Sequence, residues 1–262
     1  MNYTLITGSS NGIGLSLAHE CASRKMNLAL VSLPATGLEN IAKQLAADNG
    51  IDVKFLEIDL TGDSAADDVY KWCVANSIEV NFLINNAGMA GAAEFAESTP
   101  EYSDKRILLN IRALTMLCRV FVPMLERNRQ SYILNIGSLS AFFPIPYKSV
   151  YSSTKSYVLN FSMSISAELR KRGISVTVIC PNGVETNSGT SARIEAHKNW
   201  GKWTKIDSRK LASFAIDQTF KGKVVAIPML INRFLRFIGW LIPASMQLNM
   251  LEKEFAAEPR SK

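Results

Sequence analysis

Cysteine and histidine are scarce in this 262-residue chain, at 4 and 2 residues. Cys21, Cys73, Cys118 and Cys180 are scattered inside expected elements without paired or metal-ligand spacing, so neither a disulfide framework nor a thiolate metal site is expected. Buried free thiols in a reducing compartment are the plain reading. His19 and His197 are too isolated for a zinc site, and the chain reads as metal-independent. Low-complexity linkers and internal repeats are missing. Met1-Asn2-Tyr3 runs straight into a β-rich segment, leaving no room for a signal peptide, so a cytoplasmic location is expected. The net charge of +6 is dispersed, as in Arg24-Lys25, Arg127 with Arg129, and Arg170-Lys171-Arg172. No basic stripe is interleaved with aromatics, so nucleic acid is not an expected partner.

What the chain does have is core material, 47% hydrophobic against 20% charged residues. Strand-like runs at 2–7, 27–32, 51–58, 80–84, 132–136, 174–179 and 224–227 alternate with helical patterns. Leu38, Ile41, Ala42 and Leu45 share one helical face, a long helix is expected over 102–127, and another runs from Tyr151 to about Lys171 before Gly173. Such alternation predicts an α/β fold. It is Rossmann-like and doubly wound, with seven strands in a mostly parallel sheet covered on both faces. One domain is expected over 1–227, with 228–262 as an extension packed on it.

The most informative residues are Tyr151 and Lys155, one helical turn apart and downstream of Ser138. A phenol titrates near ~10 and is a poor proton donor or acceptor at neutral pH. An ammonium four residues along a helix shares its face and favours the phenolate. A serine hydroxyl could hold a carbonyl or alcohol oxygen beside the phenol. Such a trio can move a proton on and off a carbon-bound oxygen, and it needs a hydride carrier.

A site for the carrier follows the first strand. Gly8-Ser9-Ser10-Asn11-Gly12-Ile13-Gly14 opens onto an apolar-periodic helix, an arrangement that turns N–H groups and a helix dipole toward a pyrophosphate. Gly8 would permit the tight turn, Gly12 the phosphate approach and Gly14 the packing of helix on strand. The spacing is G-x-x-x-G-x-G and lacks a Walker lysine.

Thr7 to Gly14, Asn85-Asn86-Ala87-Gly88, Ser138 and Tyr151-x-x-x-Lys155 occur in that order. Together they closely resemble the single-domain short-chain dehydrogenase/reductase family over roughly residues 2 to 227. The resemblance implies catalytic roles for Ser138, Tyr151, Lys155 and Asn110, the last holding a water that links the lysine to solvent. It implies cofactor contacts from Gly8, Ser9, Ser10, Gly12, Ile13, Gly14, Ser32, Asp59, Leu60, Asn86, Ala87, Gly88, Tyr151, Lys155, Pro181, Val184 and Thr186. Bland alternatives stand beside several of these. Asp59 could simply cap a turn, Asn85 and Asn86 could brace strands, and Asn110 could be a partly exposed helical residue. Tyr147 is a spare phenol, less suited because Lys148 adjoins it directly.

An acid at the end of the second strand would bind the ribose 2′-hydroxyl of NAD(H). Ser32-Leu33-Pro34 stands there with no charge, and Asn11 replaces the base common in NADP-preferring relatives. NADP(H) is favoured and NAD(H) remains open. Pro181-Asn182-Gly183 replaces the family's Pro-Gly, with Asn182 tolerant of a left-handed turn. Residues 187–209, with Trp200 and Trp203, are expected to cover the substrate or to pack as an ordinary helix.

The segment 228–243 is apolar, aromatic and basic at once. Arg233, Arg236 and Pro243 interrupt it, and it is too short for a membrane span. Three accounts compete: a helix packed beside the pocket, an oligomer contact, or an interfacial helix giving peripheral membrane contact through 229–243. The expected function is an NAD(P)H-dependent oxidoreductase interconverting ketone or aldehyde and alcohol, on a lipophilic small-molecule substrate. The alternative is a cofactor-bound scaffold or regulatory protein without catalysis. The resemblance also implies a homodimer or homotetramer, paired through the long helices at Tyr102 and Tyr151.

Overall fold

The computed structural model describes residues 1–185 and 205–256. Its strands are β1 (Asn2–Thr7), β2 (Asn27–Ser32), β3 (Val53–Glu57), β4 (Glu79–Asn85), β5 (Ser131–Ile136), β6 (Ile174–Ile179), β7 (Val184–Glu185), β8 (Ile206–Asp207) and β9 (Val225–Ala226). Seven of them form the central sheet, in the order β3-β2-β1-β4-β5-β6-β9. Every pairing in it is parallel, so the sheet is wholly rather than mostly parallel. β7 and β8 make a second, small pair.

Alternation within each strand feeds two cores. Leu5, Ala29, Val31, Leu83 and Val176 face α3 (Ala65–Ala75), α5 (Leu114–Leu125) and α6 (Ser149–Leu169). Ile6, Leu28, Leu30, Ile84 and Leu134 face α1 (Gly12–Ser23), α2 (Leu38–Asn49) and α7 (Ser208–Phe220). The chain runs from β1 outward to β3, then returns to place β4 on the other side of β1. That reversal opens a crevice at the carboxyl ends of β1 and β4, where doubly wound sheets bind ligands.

The expected long helix is α4 (Pro100–Ile107) continuing through a π-helical turn, Leu108–Ala113, into α5. Thr99 caps it by accepting from Tyr102 N at 3.3 Å. By length and composition Pro100–Leu125 could cross a membrane, yet Leu114, Leu117, Phe121 and Leu125 are buried in the core. Its α5 half is built into the core of this fold. Strands read as 51–58 and 224–227 are shorter, because β3 and β9 are the sheet edges and have one neighbour each. α3 is a helix that the sequence pattern did not reveal. Gly173 ends α6, after a 3₁₀ turn at Arg170–Arg172, with φ +76°, a left-handed conformation that glycine adopts without strain.

A buried polar chain sets α6 against the sheet. Asn85 Nδ2 donates to Asn135 Oδ1 at 2.9 Å, Asn135 Nδ2 donates to Ser162 Oγ at 2.9 Å, and Ser162 donates to Val158 O at 2.6 Å. Side-chain amides in a core hold one register because any slip leaves them unsatisfied. This chain therefore fixes the depth at which Tyr151 and Lys155 stand. Beyond β9, α8 (Leu230–Leu241) and α9 (Ala244–Phe255) close the described chain. α8 lies against the 3₁₀ turn Leu139–Phe142: Arg236 sits 4.5 Å from the Phe142 ring centroid.

Candidate active site

Thr7 ends β1 and organises the crevice. Its Oγ1 accepts from Asn86 N at 3.0 Å and Ala87 N at 3.1 Å. Asn86 Nδ2 donates in return to Thr7 O at 2.9 Å and Gly8 O at 3.0 Å. Asn86 is thus a brace between β4 and the glycine turn, and Asn85 braces β4 to β5. Gly8 turns at φ +65° and Gly12 at φ +55°. A Cβ on Gly14 would overlap the Gly8 carbonyl and the Asn86 amide, so the first turn of α1 can approach β1 only without a side chain there.

At the start of α1, Asn11 makes no capping bond with its side chain and the first turn carries no acid. Its N–H groups and dipole are left for an anion. Ile13 is half-buried behind the turn. Ser9 is wholly buried and turns inward, its N–H and hydroxyl each donating to Val31 O at 3.3 Å. Ser10 Oγ lies 2.7 Å from Ser32 Oγ, so these two hydroxyls, rather than Ser9, mark the end of β2. Leu33 beside them is half exposed. Asp59 is exposed and closes its own turn, Oδ1 accepting from Thr61 N at 2.9 Å and Thr61 Oγ1 at 2.8 Å. Leu60 is buried in the core.

Lys155 is the electrostatic centre. It is buried, its Nζ donates to Ile136 O at 2.8 Å, and it stands 6.0 Å from the Tyr151 ring centroid. Burial pushes the ammonium down from 10.5 to about 8, with the nearby Cys180 thiol acting weakly in the opposite sense. Ile136 precedes Ser138 by two residues, and Ser156 Oγ of α6 donates to Ala141 O at 2.8 Å just beyond it. The Ser138 segment and the Tyr151 helix are thereby tied together.

Ser138 Oγ accepts from Ser140 N at 3.1 Å and Ser140 Oγ at 2.8 Å. With both lone pairs engaged, its own proton is left to donate. Asn110 is buried within the π-helical turn and fully engaged. Its Oδ1 accepts from Met89 N at 2.8 Å, and its Nδ2 donates to Met89 O and Thr154 Oγ1, both at 3.0 Å. The partly exposed alternative for Asn110 is thus excluded. A Cβ on Gly88 would lie 3.2 Å from Asn110 Oδ1 and 3.5 Å from Lys155 Nζ, so this glycine lets both side chains reach one place.

Tyr151 lines a cleft with Ala93, Phe95, Tyr102 and Tyr147. Tyr147 precedes α6 with φ +63° and so lacks the one-turn helical spacing that sets Tyr151 beside Lys155. Pro181 O accepts from Leu139 N at 2.7 Å. Neither Asn182 nor Gly183 adopts positive φ, so the altered turn is made without the left-handed residue the sequence suggested. Val184 is buried in β7. Thr186, Trp200 and Trp203 lie outside the described residues.

Sequence reasoning named Thr7 only as the start of a motif, without its bracing role, and missed Ser140, Thr154 and Arg106. Arg106 is buried, lies 3.3 Å over the Tyr102 ring and donates to Ala90 O at 3.0 Å, holding the cleft's upstream wall. A serine two residues from Ser138 and a threonine beside Lys155 were visible, but nothing in their spacing marked them. All four cysteines are buried, and burial pushes each thiol up to about 12, which makes them inert packing groups.

The chain resembles known proteins along most of its length. 17-beta-hydroxysteroid dehydrogenase type 3 of Mus musculus is 30% identical over 187 residues, 70% of this chain and 60% of that one. Very-long-chain 3-oxoacyl-CoA reductase of Anas platyrhynchos is 31% identical over 191 residues, again 70% and 60%. The chain therefore spans about 60% of the length of these curated relatives. Among solved structures, a short-chain dehydrogenase from Sphingobium yanoikuyae in complex with NADPH has 30% identity and TM-score 0.77, covering 92% of this chain and 94% of that one. A 7beta-hydroxysteroid dehydrogenase shares the fold at TM-score 0.84 and 17% identity, covering 95% and 96%. The family model described as short chain dehydrogenase matches residues 2–197. On the strength of that match, this chain belongs to the short-chain dehydrogenase family.

Proposed function

We propose that this chain interconverts a ketone or aldehyde and the matching alcohol on a lipophilic substrate, with NADP(H) as the favoured hydride carrier. The observation that carries the proposal is the buried Lys155 ammonium 6.0 Å from the Tyr151 ring, held by a carbonyl two residues before Ser138, whose Oγ accepts from both Ser140 donors. The N–H groups at the start of α1 and the side-chain-free contact at Gly14 suit a dinucleotide pyrophosphate, to be held by Gly8, Ser10, Gly12 and Gly14. When bound, a reduced nicotinamide supplies hydride to the carbonyl carbon.

The chain's own residues handle the proton. Tyr151 OH gives its proton to the carbonyl oxygen while Ser138 donates a hydrogen bond to the same atom as negative charge develops there. The Lys155 ammonium stabilises the phenolate left behind. Asn110, pinned by Met89 and Thr154, holds the route by which the proton is replaced from solvent. In the oxidising direction Tyr151 takes the alcohol proton instead.

Uncharged Ser10 and Ser32 at the end of β2 offer no repulsion to a 2′-phosphate, which supports NADP(H). A lipophilic substrate is supported by the likeness to 17-beta-hydroxysteroid dehydrogenase type 3 and very-long-chain 3-oxoacyl-CoA reductase, whereas the Tyr151 cleft itself mixes Ala93, Phe95 and Val150 with Ser98, Lys148 and Ser149. The exposed faces of Met116 on α5 and Tyr157 and Met163 on α6 support a homo-oligomer built through these helices. The test is Tyr151→Phe. It is expected to bind NADPH as the wild type does and to lose nearly all turnover on ketones, and near-normal turnover would refute the assignment.

A further inference from the structure

The strongest feature outside the catalytic crevice is α8. Its inner side is settled. Asn232 and Gly239 are buried, Asn232 Nδ2 donates to Pro228 O at 3.1 Å, and Gly239 faces the Phe143 ring. The opposite side has no partner within the described chain. Leu230, Phe234, Phe237 and Leu241, spaced four, three and four residues apart on one helical face, are 78%, 58%, 55% and 56% exposed. Trp240 on the edge of that face is 79% exposed, and Met246 and Met250 of α9 are also exposed. A contiguous apolar face of this kind marks an interaction surface.

The charges beside it say what covers it. α8 carries Arg233 and Arg236 and no acid. At 100° per residue both arginines fall on the same flank of the apolar face as Trp240. Together with Lys223 they border a cleft of about 360 Å³, none of whose lining residues is acidic. A second copy seated symmetrically on α8 would bring its arginines together; α8 has no carboxylate to offset them, and the acids of α9, Glu252 and Glu254, stand in its last turn. An anionic lipid surface meets both requirements, taking the leucine and phenylalanine row below the headgroups and leaving tryptophan and arginine at headgroup level.

We infer that α8 docks this protein on anionic phospholipid bilayers as an interfacial helix. Phe234, Phe237 and Leu241 enter the acyl boundary, and Arg233, Arg236 and Lys223 receive lipid phosphates. α8 and α9 also pack near the catalytic residues, α8 on the turn that follows Ser138 and α9 beside one wall of the Tyr151 cleft. Arg236 covers Phe142, and Lys148, a wall of the Tyr151 cleft, lies 4.6 Å from the Phe255 ring centroid. Docking would place that cleft beside a lipophilic substrate's own solvent. The docking itself is independent of the proposed reaction, and its test does not use catalysis as the readout.

Full-length protein is floated with phosphatidylcholine vesicles and with vesicles of phosphatidylcholine and phosphatidylserine. Binding is expected only to the second, with release by high salt. F234S/F237S, whose side chains are exposed, is expected to fold normally by circular dichroism, to keep its activity on a water-soluble ketone, and to lose vesicle binding by roughly tenfold or more. K223Q/R236Q is expected to lose the preference for phosphatidylserine. The inference is overturned if the wild type does not float with anionic vesicles, or if F234S/F237S floats equally well. It is also overturned if the wild type is an oligomer that F234S/F237S dissolves while vesicle binding is absent, which would make a second copy the occupant.

Discussion

Lys155 offers a test in which the magnitude follows from burial alone. Its ammonium is pushed from 10.5 to about 8 in the folded apoprotein, and a pKa displaced by one pH unit corresponds to about 1.36 kcal/mol. The buried charge therefore lowers stability at neutral pH by about 3 kcal/mol. Between about pH 8 and 10.5 the unfolded chain holds a proton that the folded chain has released, so wild-type stability rises with pH through that window. Lys155→Met removes the titration and also the bond to Ile136 O. The lost bond is a pH-independent cost of about 1–3 kcal/mol and cancels when stabilities at two pH values are compared. Titrating groups that do not interact with Lys155 cancel between wild type and variant, and Cys180, pushed up to about 12, stays protonated across the range.

The assay is urea unfolding of both apoproteins from about pH 7 to about pH 10.5. The variant's stability relative to wild type is expected to be greatest at the acid end and to fall by about 3 kcal/mol across the range. Parallel curves would mean that Lys155 is solvated or paired, and the electrostatic account of Tyr151 would fail with it.

Ser140→Ala keeps the backbone donor to Ser138 but loses the hydroxyl, worth about 1 kcal/mol. In steady-state assays kcat is expected to fall about fivefold with the NADPH saturation constant unmoved, and Ser140→Thr should restore it. Gly239→Ala would press a Cβ into Phe143, whose Cζ would lie 2.9 Å away. Overpacking of this kind costs about 1–3 kcal/mol in urea melts, and Phe143→Leu in the same chain should relieve it. Leu33→Asp puts a carboxylate beside Ser32, and saturation curves are expected to show weakening of NADPH by roughly tenfold and no loss for NADH.

Much of the fold was legible because its signals are local. Strand runs separated by helical patterns require a parallel sheet, and the observed order β3-β2-β1-β4-β5-β6-β9 is the doubly wound solution. The two-residue β9 was overestimated because edge strands are trimmed by missing neighbours, which no local pattern records. Asn86 was left open between brace and ligand contact. Its bonds to Thr7 and Gly8 make it a brace, which only folding could reveal, because the residues are 78 and 79 positions apart.

The sequence by itself determined that Tyr151 and Lys155 share a helical face, that a glycine turn follows the first strand, and that 228–243 is apolar and basic together. Those are properties of spacing along one segment. Only the tertiary structure decided how far Lys155 is desolvated, that Ser140 fills both lone pairs of Ser138, that Ser9 turns away from the crevice, and which side of α8 faces water. Each of these depends on what packs against a side chain from elsewhere in the chain, and burial is a property of the assembled core rather than of any stretch of residues.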